Sequence, residues 1–230
     1  MNRMKNVFLD LDNTLLDFHQ AERNALSKTL RKIGIEPTDQ VTGTYSVINQ
    51  QHWKLLELGQ ISREDLKTRR FKVFLDGLGA DVSPVEAART YEAYLGTGHY
   101  FLEGAEDLLD ALHGKYRLYL ATNGLADVQK GRIESAGIAP YFEEMFISQL
   151  VGYNKPDVRF FEACFAKIPD FDREETVMIG DSLSSDIQGG LNAGIHTIWF
   201  NLFAEENGSE IRPHHEVRRL EEIPEVLQSI

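Results

Sequence analysis

Two carboxylates, Asp10 and Asp12, stand at the end of the apolar run Val7-Phe8-Leu9 and are followed by Asn13 and Thr14. Further along the chain, three other apolar runs each end in residues that could do chemistry. Thr122-Asn123-Gly124 follows Arg117–Ala121 (RLYLA), Lys155-Pro156 follows Met145–Ser148 (MFIS) and its loop, and Gly180-Asp181 with Asp186 follows Thr176–Ile179 (TVMI). Each group has an ordinary explanation by itself. Acids after a strand are common in turns and helix caps, Asn-Gly is a turn dipeptide, and an acid favours a helix N-terminus. Jointly they suit one purpose. Four carboxylates in a small volume cannot all stay ionised without compensation. Mg²⁺ is the natural hard cation for such oxygens and completes its shell with water and a phosphate. Lys155 and the Thr122 hydroxyl could hold the remaining phosphate oxygens. A carboxylate beside the phosphorus could then act as a nucleophile, giving an aspartyl phosphate.

The elements that must position these groups are legible from patterning. The expected strands are Met4–Leu9, Arg117–Ala121, Met145–Ser148, Thr176–Ile179 and Thr197–Phe200. Helical patterns at Ala126–Ala136, Asp157–Lys167 and Asp186–Ala193 separate the later ones. Continuous apolar strands alternating with helices predict a parallel sheet covered on both faces, and in such a sheet ligands bind beyond the carboxyl ends of the strands. From about His19 to Gly98 the pattern changes. Ala21–Lys32, Tyr45–Leu58, Arg63–Leu78 and Pro84–Leu95 carry helical periodicity with no strand between them. Ser62 with Asp65, and Ser83-Pro84 with Glu86, read as helix starts. The segment therefore reads as an all-helical insertion, with Gly96-Thr97-Gly98 as its return hinge. Asn207-Gly208-Ser209 marks a turn before a final strand-and-helix tail.

Asp10-Leu-Asp12-Asn-Thr14, Thr122-Asn123, Lys155-Pro156 and Gly180-Asp181-Ser-Leu-Ser-Ser-Asp186 resemble, in order, the four motifs of the haloacid dehalogenase superfamily. The resemblance spans nearly the whole chain. It implies an α/β fold, a Rossmann-like parallel sheet core of residues 1–17 and 99–230 with an inserted α-helical (C1-type) cap of residues 18–98. It also implies roles. Asp10 would be the nucleophile and Asp12 the general acid, then the base that activates water. Thr122, Asn123 and Lys155 would hold the phosphoryl group. Mg²⁺ would be ligated by Asp10, the backbone carbonyl of Asp12, Asp181 and Asp186, although Asp186 could instead be the partner of Lys155. Many members carry Gly where Asn13 stands.

The acid at position 12 separates this chain from dehalogenase members, whose leaving halide needs no proton, and suits phosphoryl transfer. The run "GDSLSSDIQGGLNAGIHTIWFN", with Trp199 and Asn201, and the cap stretch "INQQHWKLLELGQIS" with Arg70-Phe71 are similar to a bacterial pyrimidine nucleoside monophosphatase family. That similarity implies a phosphoric monoester hydrolase acting on pyrimidine nucleoside 5′-monophosphates. A phosphatase of another metabolite, such as phosphoglycolate or a sugar phosphate, stays open as an alternative. So do a sugar phosphomutase and a non-catalytic protein on the same scaffold. Trp53, Phe71 and Phe74, at helical spacing, read as cap core.

The remaining composition narrows partners and setting. A net charge of −12 without a basic stripe argues against binding a nucleic-acid polymer and leaves a small phosphorylated metabolite such as a nucleotide as the expected partner. No apolar run is long enough to span a bilayer, and the N-terminal Met1–Lys5 stretch leads into Asp10 and does not read as a signal peptide. The single cysteine, Cys164, suits a reducing cytoplasm and, among Phe160, Phe161 and Phe165, reads as a core thiol. The chain is expected to act as a monomer or a homodimer.

Overall fold

A computed structural model describes residues 4–230 of the chain. Six strands, β1 (Asn6–Leu9), β2 (Arg117–Thr122), β3 (Glu144–Ile147), β4 (Thr176–Gly180), β5 (His196–Phe200) and β6 (His215–Val217), form one sheet in the order β3-β2-β1-β4-β5-β6. Every pairing is parallel. The strands alternate their side chains between two cores. Val7 and Leu9 pack with Leu118, Leu120, Val177 and Ile179 on one face. Phe8 packs with Tyr119, Phe146, Phe160, Phe161 and Met178 on the other. Burying each such side chain stabilises the fold by about 1.5–3 kcal/mol, so the central strand cannot slip register without exposing both faces. This is a Rossmann-like α/β core. Its strand order reverses between β1 and β4, the crevice where open sheets bind ligands.

Four helices, α1 (Phe18–Lys32), α2 (Asp39–Glu57), α3 (Arg63–Leu78) and α4 (Pro84–Leu95), fill the interval between β1 and the return to the sheet. Their starts are set locally. Asp17, Thr38, Ser62 and Ser83 accept hydrogen bonds from first-turn backbone N–H groups, and Ser62 with Asp65 forms a reciprocal capping box. Tyr45, Phe71, Phe74 and Tyr91 form their shared core. A buried polar chain crosses all four helices. Asn49 Nδ2 donates to Glu22 Oε1 (2.6 Å), Arg70 Nη1 donates to Asn49 Oδ1 (2.7 Å), and Arg70 pairs with Glu92.

The chain then runs through α5 (Ala105–Leu112), β2, α6 (Ala126–Ala136), β3, α7 (Ser148–Val151), α8 (Val158–Phe165), β4, α9 (Gln188–Asn192), β5, β6 and α10 (Ile223–Ser229). Several boundaries differ from the sequence reading. α5 was not expected, although Leu108, Leu109 and Leu112 give it an apolar stripe. α2 begins at Asp39 rather than Tyr45, because the Thr38 cap precedes the apolar pattern. Ser148 opens α7 instead of ending β3, and Asp157 caps α8 from outside. The helix expected at Asp186–Ala193 is a wide turn, Leu183–Ile187, followed by α9. Cys164 is fully buried among phenylalanines, and burial pushes its thiol pKa up. No helix among the described residues is long and apolar enough to cross a membrane.

Candidate active site

β1 delivers its acids through a tight loop. Asn13 N–H donates to the Leu16 carbonyl (2.7 Å), while the Leu15 and Leu16 N–H groups both return to the Leu11 carbonyl. The loop needs a left-handed residue, and Asn13 supplies it with φ of 58°. Asn and Gly tolerate that region best, so an Asn can stand where the resemblance leads one to expect Gly. The Asn13 side chain also accepts the Phe18 N–H (3.0 Å), tying the loop to the first turn of α1.

Asp10 is buried beside Lys155, whose Nζ donates to Asp10 Oδ1 (2.6 Å), Asp186 Oδ1 (2.6 Å) and the Ala121 carbonyl (2.5 Å). All three ammonium protons are engaged, and the lysine crosslinks the ends of β1, β2 and β4. Burial opposes the charge on Lys155, but Asp10 and Asp186 outweigh it and hold the ammonium above its ordinary range. Burial pushes the Asp10 carboxyl up to about 7, against the lowering pull of Lys155 and with added repulsion from Asp186 and Asp12. Asp181 is held well above the usual carboxylate range by burial, then by Asp10 and Asp186.

Oxygens of Asp10, Asp181 and Asp186 all lie within 4.8 Å of one another. Three carboxylates face one ammonium, so the cluster carries excess negative charge in a desolvated place. That donor set, all hard oxygens and under-neutralised, fits a hard divalent cation. Asp186 is both a member of this cluster and the partner of Lys155. The wide turn at Leu183–Ile187 aims it inward: the Asp186 and Ile187 N–H groups share the Ser182 carbonyl, and Ser182 N–H donates to Asp186 Oδ2 (3.1 Å). Gly180 makes room, because a Cβ there would overlap the Asp186 carboxylate.

The Asp12 carboxylate stands outside that cluster; what the resemblance implied for the metal was its backbone carbonyl. Arg132 donates to Asp12 Oδ1, and Gln129 Nε2 donates to Asp12 Oδ2 (2.7 Å) and to Thr122 Oγ1 (2.7 Å). Thr122 Oγ1 also accepts the Gly124 N–H (3.3 Å). Asn123 is turned to the Lys155 loop. Its Oδ1 accepts the Lys155 N–H and its Nδ2 donates to the Lys155 carbonyl, both at 2.9 Å, with Ser185 Oγ at 3.2 Å. Thr14 accepts the Asp181 N–H (3.1 Å), and the Trp199 indole donates to the Asp181 carbonyl (2.7 Å).

Asp10, Asp12, Thr122, Asn123, Lys155, Asp181 and Asp186 therefore line one cavity of about 230 Å³, closed from the helical side by Phe18, Trp53 and Glu57. Trp53 faces chemistry, not only core, whereas Phe71 and Phe74 are buried in the cap as expected. Trp199 and Asn201 are buried supports, the latter holding Glu205 and Glu216. Sequence reasoning missed Gln129 and Arg132. Their one signal was their i,i+3 spacing on α6, which puts two polar side chains on one helix face directly after the Thr122-Asn123 motif.

A parallel α/β sheet with a buried acid cluster and a lysine at its topological switch point defines a hydrolase-like Rossmannoid site. The haloacid dehalogenase-like hydrolase family matches residues 4–194, and the chain belongs to it. It is 41% identical over 224 residues to pyrimidine 5′-nucleotidase PynA of Streptococcus pneumoniae, covering 97% of this chain and 94% of that protein. It is 30% identical to pyrimidine 5′-nucleotidase YjjG of Escherichia coli, over 96% of each chain. Among solved structures, the HAD-hydrolase YfnB from Bacillus subtilis, bound to magnesium and showing interdomain movement, superposes with a TM-score of 0.93. It is 36% identical, covering 98% of this chain and 99% of that one.

Proposed function

We propose that the protein is a Mg²⁺-dependent phosphatase that hydrolyses pyrimidine nucleoside 5′-monophosphates through an aspartyl phosphate on Asp10. The observation that carries the reading is the cavity itself. Asp10, paired with Lys155, and Asp12, held by Gln129 and Arg132, line the same cavity as Phe18, Trp53 and Glu57 of the helical insertion. Asp10, Asp181 and Asp186 would hold Mg²⁺ together with the backbone carbonyl of Asp12. The cation would neutralise phosphate charge and keep Asp10 ionised.

Asp10 attacks phosphorus and the ester P–O bond breaks. Asp12 gives its proton to the departing ribose 5′-oxygen. It then takes a proton from water, which attacks the phosphorus of the aspartyl phosphate and releases inorganic phosphate and free Asp10. Thr122 supports the phosphoryl group because its oxygen already accepts two hydrogen bonds, which leaves its proton to be donated. Asn123 contributes by fixing the backbone that presents Lys155.

Residues 18–98 serve as the cap and 1–17 with 99–230 as the core; residues 1–3 of that division lie outside the described structure. The core groups recognise phosphate, so discrimination falls to the cap. Trp53 and Phe18 offer aromatic faces to a small ring, and the likeness to two pyrimidine nucleotidases supports that choice. A comparison of kcat/KM for dUMP, dTMP, UMP, AMP, GMP and sugar phosphates tests it. Pyrimidine nucleotides are expected to lead. A sugar phosphate leading by a wide margin would defeat the nucleotidase reading and leave the phosphatase reading standing.

A further inference from the structure

We propose that Arg132 is the positioning residue for Asp12, and that it ties the orientation of this acid to the hinge through which the chain leaves the helical cap. The inference rests on the phosphatase reading and deepens it. Arg132 is 0% exposed, and Asp12 is the acid it pairs with. Burying a guanidinium is expensive unless its donors are matched, and here Nε and Nη1 are matched while Nη2 finds no hydrogen-bond partner among the described residues. The geometry shows what it does. Nη1 donates to Asp12 Oδ1, and Nε donates to the Gly98 carbonyl (2.9 Å). The guanidinium carbon lies 5.8 Å from the centre of the Phe18 ring. Gln129, one turn earlier, takes the other Asp12 oxygen. Both oxygens of the acid are therefore held from α6, by residues whose own positions α6 fixes.

Phe18 and Gly98 are the two ends of the helical insertion. The close approach there is built into the sequence: a Cβ on Gly131 would come within 2.6 Å of the Gly96 carbonyl oxygen, so α6 lies directly against the hinge. A planar fork reaches Gly98 and Asp12 together, which an ammonium at the end of a flexible stem does not. Movement of the hinge displaces the Gly98 carbonyl, the guanidinium follows, and Asp12 changes its aim. The acid is correctly presented only when the hinge is correctly placed.

The test uses Arg132→Met, which keeps the bulk and removes the fork, in single-turnover measurements of the first chemical step. A ribose 5′-phosphate ester needs a proton on its leaving oxygen and a nitrophenyl ester does not, so loss of a well-aimed acid is selective. The rate on the nucleotide is expected to fall at least about tenfold more than the rate on p-nitrophenyl phosphate. In an Asp12→Ala background the same substitution should add little, and Arg132→Lys should recover only part of the loss. Equal losses on the two esters, or full additivity with Asp12→Ala, would overturn the proposal in favour of a purely structural arginine. If thermal melts show that Arg132→Met does not fold, Arg132→Lys carries the same comparison, since it keeps a buried cation but cannot hold Asp12 and the Gly98 carbonyl together. Wild-type protein that hydrolyses neither ester would sink the phosphatase reading itself, an outcome distinct from variants that lose both activities equally.

Discussion

Asp10 gathers the local electrostatics into one side chain. Its carboxyl moves from 3.8 to about 7 because burial outweighs Lys155, on the order of 4 kcal/mol of disfavoured ionisation. Replacing it with Asn removes both the nucleophile and one of three crowded acids. Asp10→Asn should lower turnover by several orders of magnitude, while the metal-free protein melts no lower than wild type at mildly alkaline pH. A variant that kept turnover comparable to wild type would refute the aspartyl phosphate. The same shift fixes a pH dependence. A carboxyl whose folded pKa is raised contributes stability that is present below the unfolded value and lost as pH rises toward about 7. Metal binding needs the ionised form, so it should release more protons at about pH 6 than at about pH 8.5. Titration calorimetry with MgCl₂, in buffers of different ionisation heat, measures this, and equal proton release at the two pH values would contradict it.

At the scale of elements, the site depends on how closely β4 and the wide turn after it can approach. Asp186 reaches Lys155 only because Gly180 has no side chain. Gly180→Ala should displace the Asp186 carboxylate, costing about 1–3 kcal/mol through overpacking and at least tenfold in kcat. Chemical denaturation and steady-state kinetics measure the two effects. An alanine tolerated without change in either would mean that Asp186 is not held where the turn aims it. Arg132 illustrates the complementary rule: α6 is an ordinary helix by sequence, yet its one buried face carries both contacts to Asp12.

For the whole molecule, the decisive relation is between the helical insertion and the sheet. Arg63, the first residue of α3, donates to Ser148 Oγ (2.7 Å) and to Asn154, both on the sheet side near Lys155. Burial lowers the Arg63 pKa, but a guanidinium stays charged, so the residue is a charged bridge between the helical insertion and the sheet. On the proposed reading, it crosses the interface at which the helical insertion would close over substrate and exclude water. Arg63→Ala should therefore weaken the closed arrangement. KM is expected to rise several-fold, with kcat reduced and the melting temperature changed by only a degree or two, since each half keeps its own core. Kinetics beside a thermal melt would check this, and unchanged KM would remove Arg63 from closure.

The amino-acid sequence by itself determined the strands, their order of motifs, the helical interruption and the acids at the strand ends. Those features are written in local periodicity, caps and turn residues, and the identity of Asp10, Lys155, Asp181 and Asp186 as one cluster follows once their strands share an edge. Edges of elements were less legible, as at the turn Leu183–Ile187, because hydrogen bonds to the Ser182 carbonyl and not helical pattern shape that stretch. Only the tertiary structure decided which neighbours each group has. Arg132 lies 120 residues from Asp12 in the chain, Trp53 packs against the helical core as expected and also lines the cavity, and the Trp199 indole donates to the Asp181 carbonyl. No local pattern carries those pairings. They arise where separately encoded faces of helix and sheet meet, and a single residue's contacts there are set by the packing of all the others.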